Sequence, residues 1–242
     1  MDLVDAFDLR ERELVAFVGD DCRIDLMYAL AQALAARDRR VVTTSVARLR
    51  VPSAEQCEAC VSDPETEVAY RDTIERLKYF PHVHTGIGGT GGFVTTRTTG
   101  RAYRPSSPEL IAALARNVAM PHVLVNAAAQ ADAKTGVRPA TKVEAPEGTT
   151  LTVHAADATG LDAPSARERA EAALAESASK ADRRMIFLLT GEDDADRQTA
   201  REVAAAMTAD EGNALARAVI ASGTVRGTLE TLPAEPDGSA SD

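Results

Sequence analysis

Leu14-Val15-Ala16-Phe17-Val18 is an unbroken apolar, β-prone run that passes through Gly19 into the apolar-periodic segment Leu26-Met27-Tyr28-Ala29-Leu30. A strand that turns at a glycine and leaves as a helix commits the chain to a β–turn–α unit. The pattern recurs. Strand candidates are Leu14–Val18, Val41–Val46, His122–Val125, Leu151–Ala155, Met185–Leu189 and Ala218–Ala221. Helix candidates are Asp25–Arg37, Thr66–Lys78, Pro108–Asn117, Pro164–Ser177 and Asp194–Met207. The strand runs are apolar throughout, without alternation, so both their faces must be covered. Strands alternating with helices in this way predict a three-layer α/β domain around a mostly parallel sheet.

The Gly19 turn is the first candidate site. Strand, glycine turn, cation and helix N-terminus is the layout of a P-loop, in which backbone N–H groups and a lysine hold nucleotide phosphates. The expected fold is therefore of P-loop NTPase type, over residues 1–230, with a Pro/Gly/Ser/Asp-rich acidic tail at 231–242 that lacks the apolar content to order itself. The candidate residues are Gly19, Asp20, Asp21, Cys22, Arg23, Ile24 and Asp25, with Arg23 in the place of the lysine. The pattern G-x-x-x-x-G-K-[ST] itself is not met. At an effective dielectric near 20, unit charges about 5 Å apart interact by roughly 3 kcal/mol, so three carboxylates against one guanidinium repel a triphosphate. Two readings stay open. Asp20, Asp21 and Asp25 hold a cation while Arg23 grips a small anion; or Asp20 or Asp21 only caps the helix and complements its dipole.

The order of segments resembles the YqeC family, P-loop proteins associated with selenium-dependent molybdenum hydroxylases. The anchors are Leu14–Gly19, Leu26–Ala31, Val41-Val42-Thr43-Thr44-Ser45, Ser107-Pro108-Glu109-Leu110, Val123-Leu124-Val125 and Glu147-Gly148-Thr149-Thr150. The resemblance implies an accessory role in maturing such a hydroxylase, with a molybdenum hydroxylase or a cofactor-maturation protein as partner. It also implies ATP or GTP with Mg²⁺ as ligand. The family's glycine run, lysine and hydroxyl pair are replaced here by Cys22, Arg23, Ile24 and Asp25. Its acidic stretch after the strand His122–Val125 becomes Asn126-Ala127-Ala128-Ala129, and Asp193 is what remains of a base-contacting motif. The resemblance thus implies a degenerate nucleotide site and action by binding. An active NTPase using Arg23 and Asp25 is the alternative.

Three further features carry chemistry. Cys57-Glu58-Ala59-Cys60 is a C-x-x-C pair, and with His82 and His84 on a possible strand it has the donor set of a Cys₂His₂ zinc site. Pro52-Ser53-Ala54-Glu55 before it suggests that the cysteines open a short helix, where thiol pKa values fall; a thiol or metal module is thus a further alternative. The segment Gly86–Arg104 matches G-x-G-x-x-G formally but is followed by the strand-like Phe93-Val94-Thr95-Thr96, so it reads as a loop or hairpin. Lys134, Arg138 and Lys142 follow the strand ending at Val125, at the sheet edge where α/β folds bind anions.

A net charge of −10 argues against nucleic acid as partner, since phosphate neutralisation needs a basic face. Asp2, Asp5 and Asp8 interrupt the opening residues, and no apolar run reaches the length of a membrane span. Three cysteines do not make a disulfide framework. A cytoplasmic protein is expected.

Overall fold

The computed structural model describes residues 3–7, 9–47, 49–50, 52–63, 65–86, 102–103, 105–117, 119, 122–127, 145–157, 184–191, 215–222 and 229–231, with isolated positions at 162, 164, 165, 168, 195 and 198. The first half of the chain runs α1 (Leu3–Phe7), β1 (Glu13–Gly19), α2 (Cys22–Ala35), β2 (Val41–Ser45), β3 (Leu49–Arg50), β4 (Ala59–Ser62), α3 (Thr66–Arg76) and β5 (His82–Gly86). The second half adds β6 (Ala102–Tyr103), α4 (Pro108–Arg116), β7 (His122–Asn126), β8 (Leu151–Asp157), β9 (Arg184–Gly191), β10 (Leu215–Ser222) and β11 (Leu229–Thr231). The helices expected at Pro164–Ser177 and Asp194–Met207 fall almost wholly outside the described residues, as do most of Gly86–Arg104 and the tail from residue 232.

Nine strands form one sheet in the order β11-β10-β9-β8-β1-β7-β2-β5-β4, and β3 pairs with β6 separately. Every pairing in the large sheet is parallel except β10 with β11. The α/β class, the layering and the mostly parallel sheet expected from the apolar runs are all observed.

Residue alternation builds the layers. Val15 and Phe17 of β1, Val41 of β2, Leu124 of β7 and Val153 of β8 join one buried cluster with α1 and α2. Leu14, Val42, Val123 and Val125 point the other way, into a second cluster with α3 and α4. Neighbouring residues on each strand therefore both lose water, which is why the runs are apolar without alternation.

The helices are bounded by local chemistry. Ser107 caps α4, its hydroxyl accepting from the Leu110 N–H at 3.2 Å, and Pro108 occupies the first turn, where its missing N–H removes no bond. Helix α2 closes in a Schellman pattern: Arg39 N–H reaches Leu34 O at 3.1 Å and Asp38 N–H reaches Ala35 O at 3.0 Å. Asp38 takes the left-handed conformation there, with φ 57°.

Two elements depart from expectation. The cysteines do not open a helix; a turn over residues 54–56 leads Cys57 into β4, which contains Cys60. The run Ala59-Cys60-Val61-Ser62 pairs with β5 and is fully buried, so the small side chains serve a covered strand. His82 and His84 do lie on a strand, β5, inside the core.

Candidate functional site

β1 lies between β7 and β8. From β1 the chain passes over the place that β7 later fills to reach β2, then returns to β8 on the far side. The carboxyl ends of β1, β7 and β8 therefore frame the switch point at which open α/β sheets bind ligands.

The turn at that point is too tight for a phosphate. Strand β1 ends at Gly19 and α2 begins at Cys22, leaving only Asp20 and Asp21 between them. The P-loop pattern places five residues between its first glycine and its lysine; three separate Gly19 from Arg23. Asp20 N–H donates to Ala155 O of β8 at 2.8 Å, while Arg23 and Ile24 N–H donate to Asp20 O and Asp21 O at 3.1 Å each. Gly19 has φ +97°, and a Cβ there would sit 2.0 Å from Ala155 O. Its glycine is needed to press the turn onto β8, not to admit a pyrophosphate. We expect Gly19→Ala to destabilise the protein by roughly 2–3 kcal/mol through strained backbone and displacement of β8. Urea unfolding measures this, and a loss under about 0.5 kcal/mol would contradict the assignment.

Arg23 fills the crevice itself. It is 0% exposed, the largest of the fully buried side chains among the described residues. Its Nε donates to Asn126 Oδ1 at 2.7 Å, and one terminal nitrogen donates to Gly19 O at 3.1 Å and Asp21 Oδ1 at 3.0 Å. Asn126 Nδ2 donates in turn to Ser45 Oγ at 2.8 Å, and Ser45 Oγ donates to Ala47 O at 2.7 Å. A single polar chain thus ties the carboxyl ends of β1, β7 and β2 to the first turn of α2. The fork geometry of guanidinium suits such multiple acceptors better than an ammonium would.

These contacts correct several expectations. Arg23 is directed into the sheet edge, so it does not grip an external anion. Asp21 stands at the N-cap position of α2, yet it does not cap the helix by a side-chain bond there; it pairs with Arg23 instead. Asp25 does not join Asp20 and Asp21 around a cation: it lies exposed and accepts from Gln56 Nε2 at 3.1 Å. Ile24 is buried, and Cys22 packs half-buried against the α2-side core. Asn126 occupies the site, but as the central link of the network, 0% exposed. Lys134, Arg138, Lys142 and Asp193 lie outside the described residues. Mg²⁺-ATP or Mg²⁺-GTP does not fit the groups present, because the turn is shorter than a P-loop, the Asp20 N–H is bonded to β8 and the cation is buried.

Cys57, Cys60, His82 and His84 do gather, between α2 and the sheet. Cys60 is the register partner of His84, and Cys57 and Cys60 are hydrogen-bonded through their side chains. The imidazoles bond to hydroxyl groups. His82 Nε2 and His84 Nδ1 lie 2.9 and 3.0 Å from Thr43 Oγ1, and His84 Nδ1 lies 3.2 Å from Tyr28 OH. Among the described residues no group of three or more His, Cys, Asp or Glu is placed to hold a metal ion, so the Cys₂His₂ zinc site is not formed. Burial holds both histidines neutral, well below their ordinary pKa, and the neighbouring His82 further opposes a charge on His84. The Cys57 thiol is pushed up strongly, first by its bond to Cys60 and then by burial. That reverses the depressed pKa expected of a helix-opening cysteine.

The sequence reading used Tyr28, Thr43 and Ser45 as anchors of the resemblance and gave them no role in a site. The signal was present: Thr43-Thr44-Ser45 is a hydroxyl run inside a strand too apolar at its start to face water.

Comparison with known proteins gives little. No family model matches the chain and no curated protein matches it. Among solved structures, chloroplast FtsY from Physcomitrella patens is similar at a TM-score of 0.40 and 12% identity, covering 94% of this chain. The chain spans 64% of the length of that structure. A likeness at that TM-score carries no argument about the site. Among the described residues no helix is long and apolar enough to cross a membrane.

Proposed function

We propose that this chain is a YqeC-like accessory protein that acts by binding another protein and does not turn over nucleotide. What carries the reading is the Arg23 guanidinium, buried at the switch point and bonded to Asn126, Gly19 and Asp21. The cation that a nucleotide-hydrolysing site would present to phosphate instead locks strand ends together. The fold keeps the crevice's frame, and the residues within it hold the frame shut. The resemblance of the segment order supplies the partner class, a protein of selenium- or molybdenum-hydroxylase maturation, in a cytoplasmic setting. The alternative of an active NTPase through Arg23 and Asp25 is disfavoured by the same geometry, since one residue is buried and the other is turned to Gln56.

Calorimetric titration with ATP, GTP and CTP, each with and without Mg²⁺, tests the reading. The expected result is no saturable heat with any nucleotide at micromolar concentration. Mg²⁺-dependent micromolar binding that disappears in Arg23→Ala would overturn it in favour of the NTPase.

A further inference from the structure

Cys57 lines a cavity of about 390 Å³. Its walls come from Gln32 and Ala35 of α2, the strap of residues 54–58, and Phe80 and Pro81 ahead of β5. Cys60 lies on the adjoining strand, β4. The strap is fastened to α2 by side-chain bonds at two places: Gln32 Nε2 to Glu55 O, and Gln56 Nε2 to Asp25 Oδ1 at 3.1 Å. Cys57 Sγ also contacts Ala59 O at 3.1 Å. Two buried thiols in side-chain contact, one lining the cavity and one on the adjoining strand, are arranged as an attacking and a resolving pair.

We infer that Cys57 and Cys60 form a reversible dithiol–disulfide site, served through this cavity by low-molecular-weight disulfides. Cys57, after its proton passes to water, attacks one sulfur of the small disulfide. A mixed disulfide forms and one small thiolate leaves. Cys60, deprotonated in the same way, attacks the Cys57 sulfur; the Cys57–Cys60 bond forms and the second small thiolate leaves. The protein pair is oxidised by two electrons, the small disulfide is reduced to two thiols, and the two protons released are recovered by the leaving thiolates. The contact with Cys60, together with burial, keeps Cys57 protonated at rest. Exchange is therefore slow near neutrality and accelerates as pH rises. The bond would join the strap to β4 at the cavity wall, which distinguishes this site from the sealed switch point and makes it independent of the nucleotide question.

The test incubates the native protein with oxidised glutathione at about pH 8.5 and reads intact mass and the linked peptides. Wild type and Cys22→Ser are expected to lose two hydrogens with Cys57 joined to Cys60. Cys60→Ser is expected to retain one glutathione on Cys57, and Cys57→Ser to leave Cys60 unmodified. The wild-type rate should rise about tenfold per pH unit up to about pH 9. A wild-type mass that stays at the dithiol value, linkage or adduct at Cys22, a disulfide that forms only in urea, or a rate that levels off below about pH 8 overturns the proposal. The wild-type measurement stands without the variants, should any of them fail to fold.

Discussion

The protein is expected to lose stability steeply as pH falls below 6.5, through His82 and His84. Burial lowers His82 from 6.5 to about 4 and His84 from 6.5 to about 3. Both are neutral in the fold and would take up protons in the unfolded chain, so below 6.5 the unfolded state binds more protons than the native one. Stability is then complete above 6.5 and is lost as pH drops toward the folded values. The slope is about 1.4 kcal/mol per pH unit for each histidine, or up to roughly 3 kcal/mol each by pH 4. Set against a total near 5–15 kcal/mol, that is enough to unfold the chain before most carboxylates protonate. The groups around the imidazoles leave no way out: Thr43 and Tyr28 bond the ring nitrogens and are neutral, and the Cys57 and Cys60 thiols are neutral too. His122, lowered chiefly by burial, adds in the same direction. Cys57 supplies an opposite arm, since a thiol raised in the fold loses its contribution above about pH 9. Urea unfolding from pH 8 to 4.5 should show the slope, and His82→Gln with His84→Gln should flatten it whatever the pair's baseline cost. A flat wild-type profile in that window, or an unchanged slope in the double variant, would refute the assignment.

The fold was legible because its physics is repetitive. Unbroken apolar runs such as Leu14–Val18 and His122–Val125 need cover on two faces, and the two core clusters supply it. The strands that escaped notice, β3, β4, β6 and β11, are short, and β4 carries Cys60 and Ser62 where Val or Ile would have announced it. β5 was harder still. Its His-Val-His-Thr sequence looks half-solvated, yet the polar atoms of His82 and His84 find Thr43 and Tyr28 inside the core. Partners distant in sequence made it a buried strand, and no local pattern records such partners. Residues singled out around Gly19 come together in the fold, through contacts that the sequence reading did not give them. Gly19, Asp21, Arg23 and Asn126 do meet, but a motif match treats Arg23 as pointing at a ligand. Side chains in the first turn of a helix tilt toward its N-terminus, and here that direction leads onto the strand end carrying Asn126.

Arg23 therefore behaves as a structural residue, and its substitution separates the two views of the site. Arg23→Leu should destabilise the protein by about 3–5 kcal/mol, because Asn126 Oδ1 and Gly19 O lose a donor in a place with little water to replace it. Arg23→Lys should still cost about 1–3 kcal/mol: one ammonium does not reach Asn126, Gly19 and Asp21 with the geometry of the fork. Asn126→Ala should couple to Arg23→Leu by about 1–3 kcal/mol, since each single change already breaks the shared bond. In a nucleotide site the lysine variant would restore the missing ammonium and gain Mg²⁺-ATP affinity. Here it is expected to gain none, because the turn of Asp20 and Asp21 remains two residues long and the Asp20 N–H still bonds Ala155 O. Urea unfolding and nucleotide titration on the same three variants decide between the views. An Arg23→Lys protein as stable as wild type that binds Mg²⁺-ATP would mean that the guanidinium is a displaced catalytic cation. A weakened protein that binds no nucleotide means that it is the bolt holding β1, β7 and α2 together.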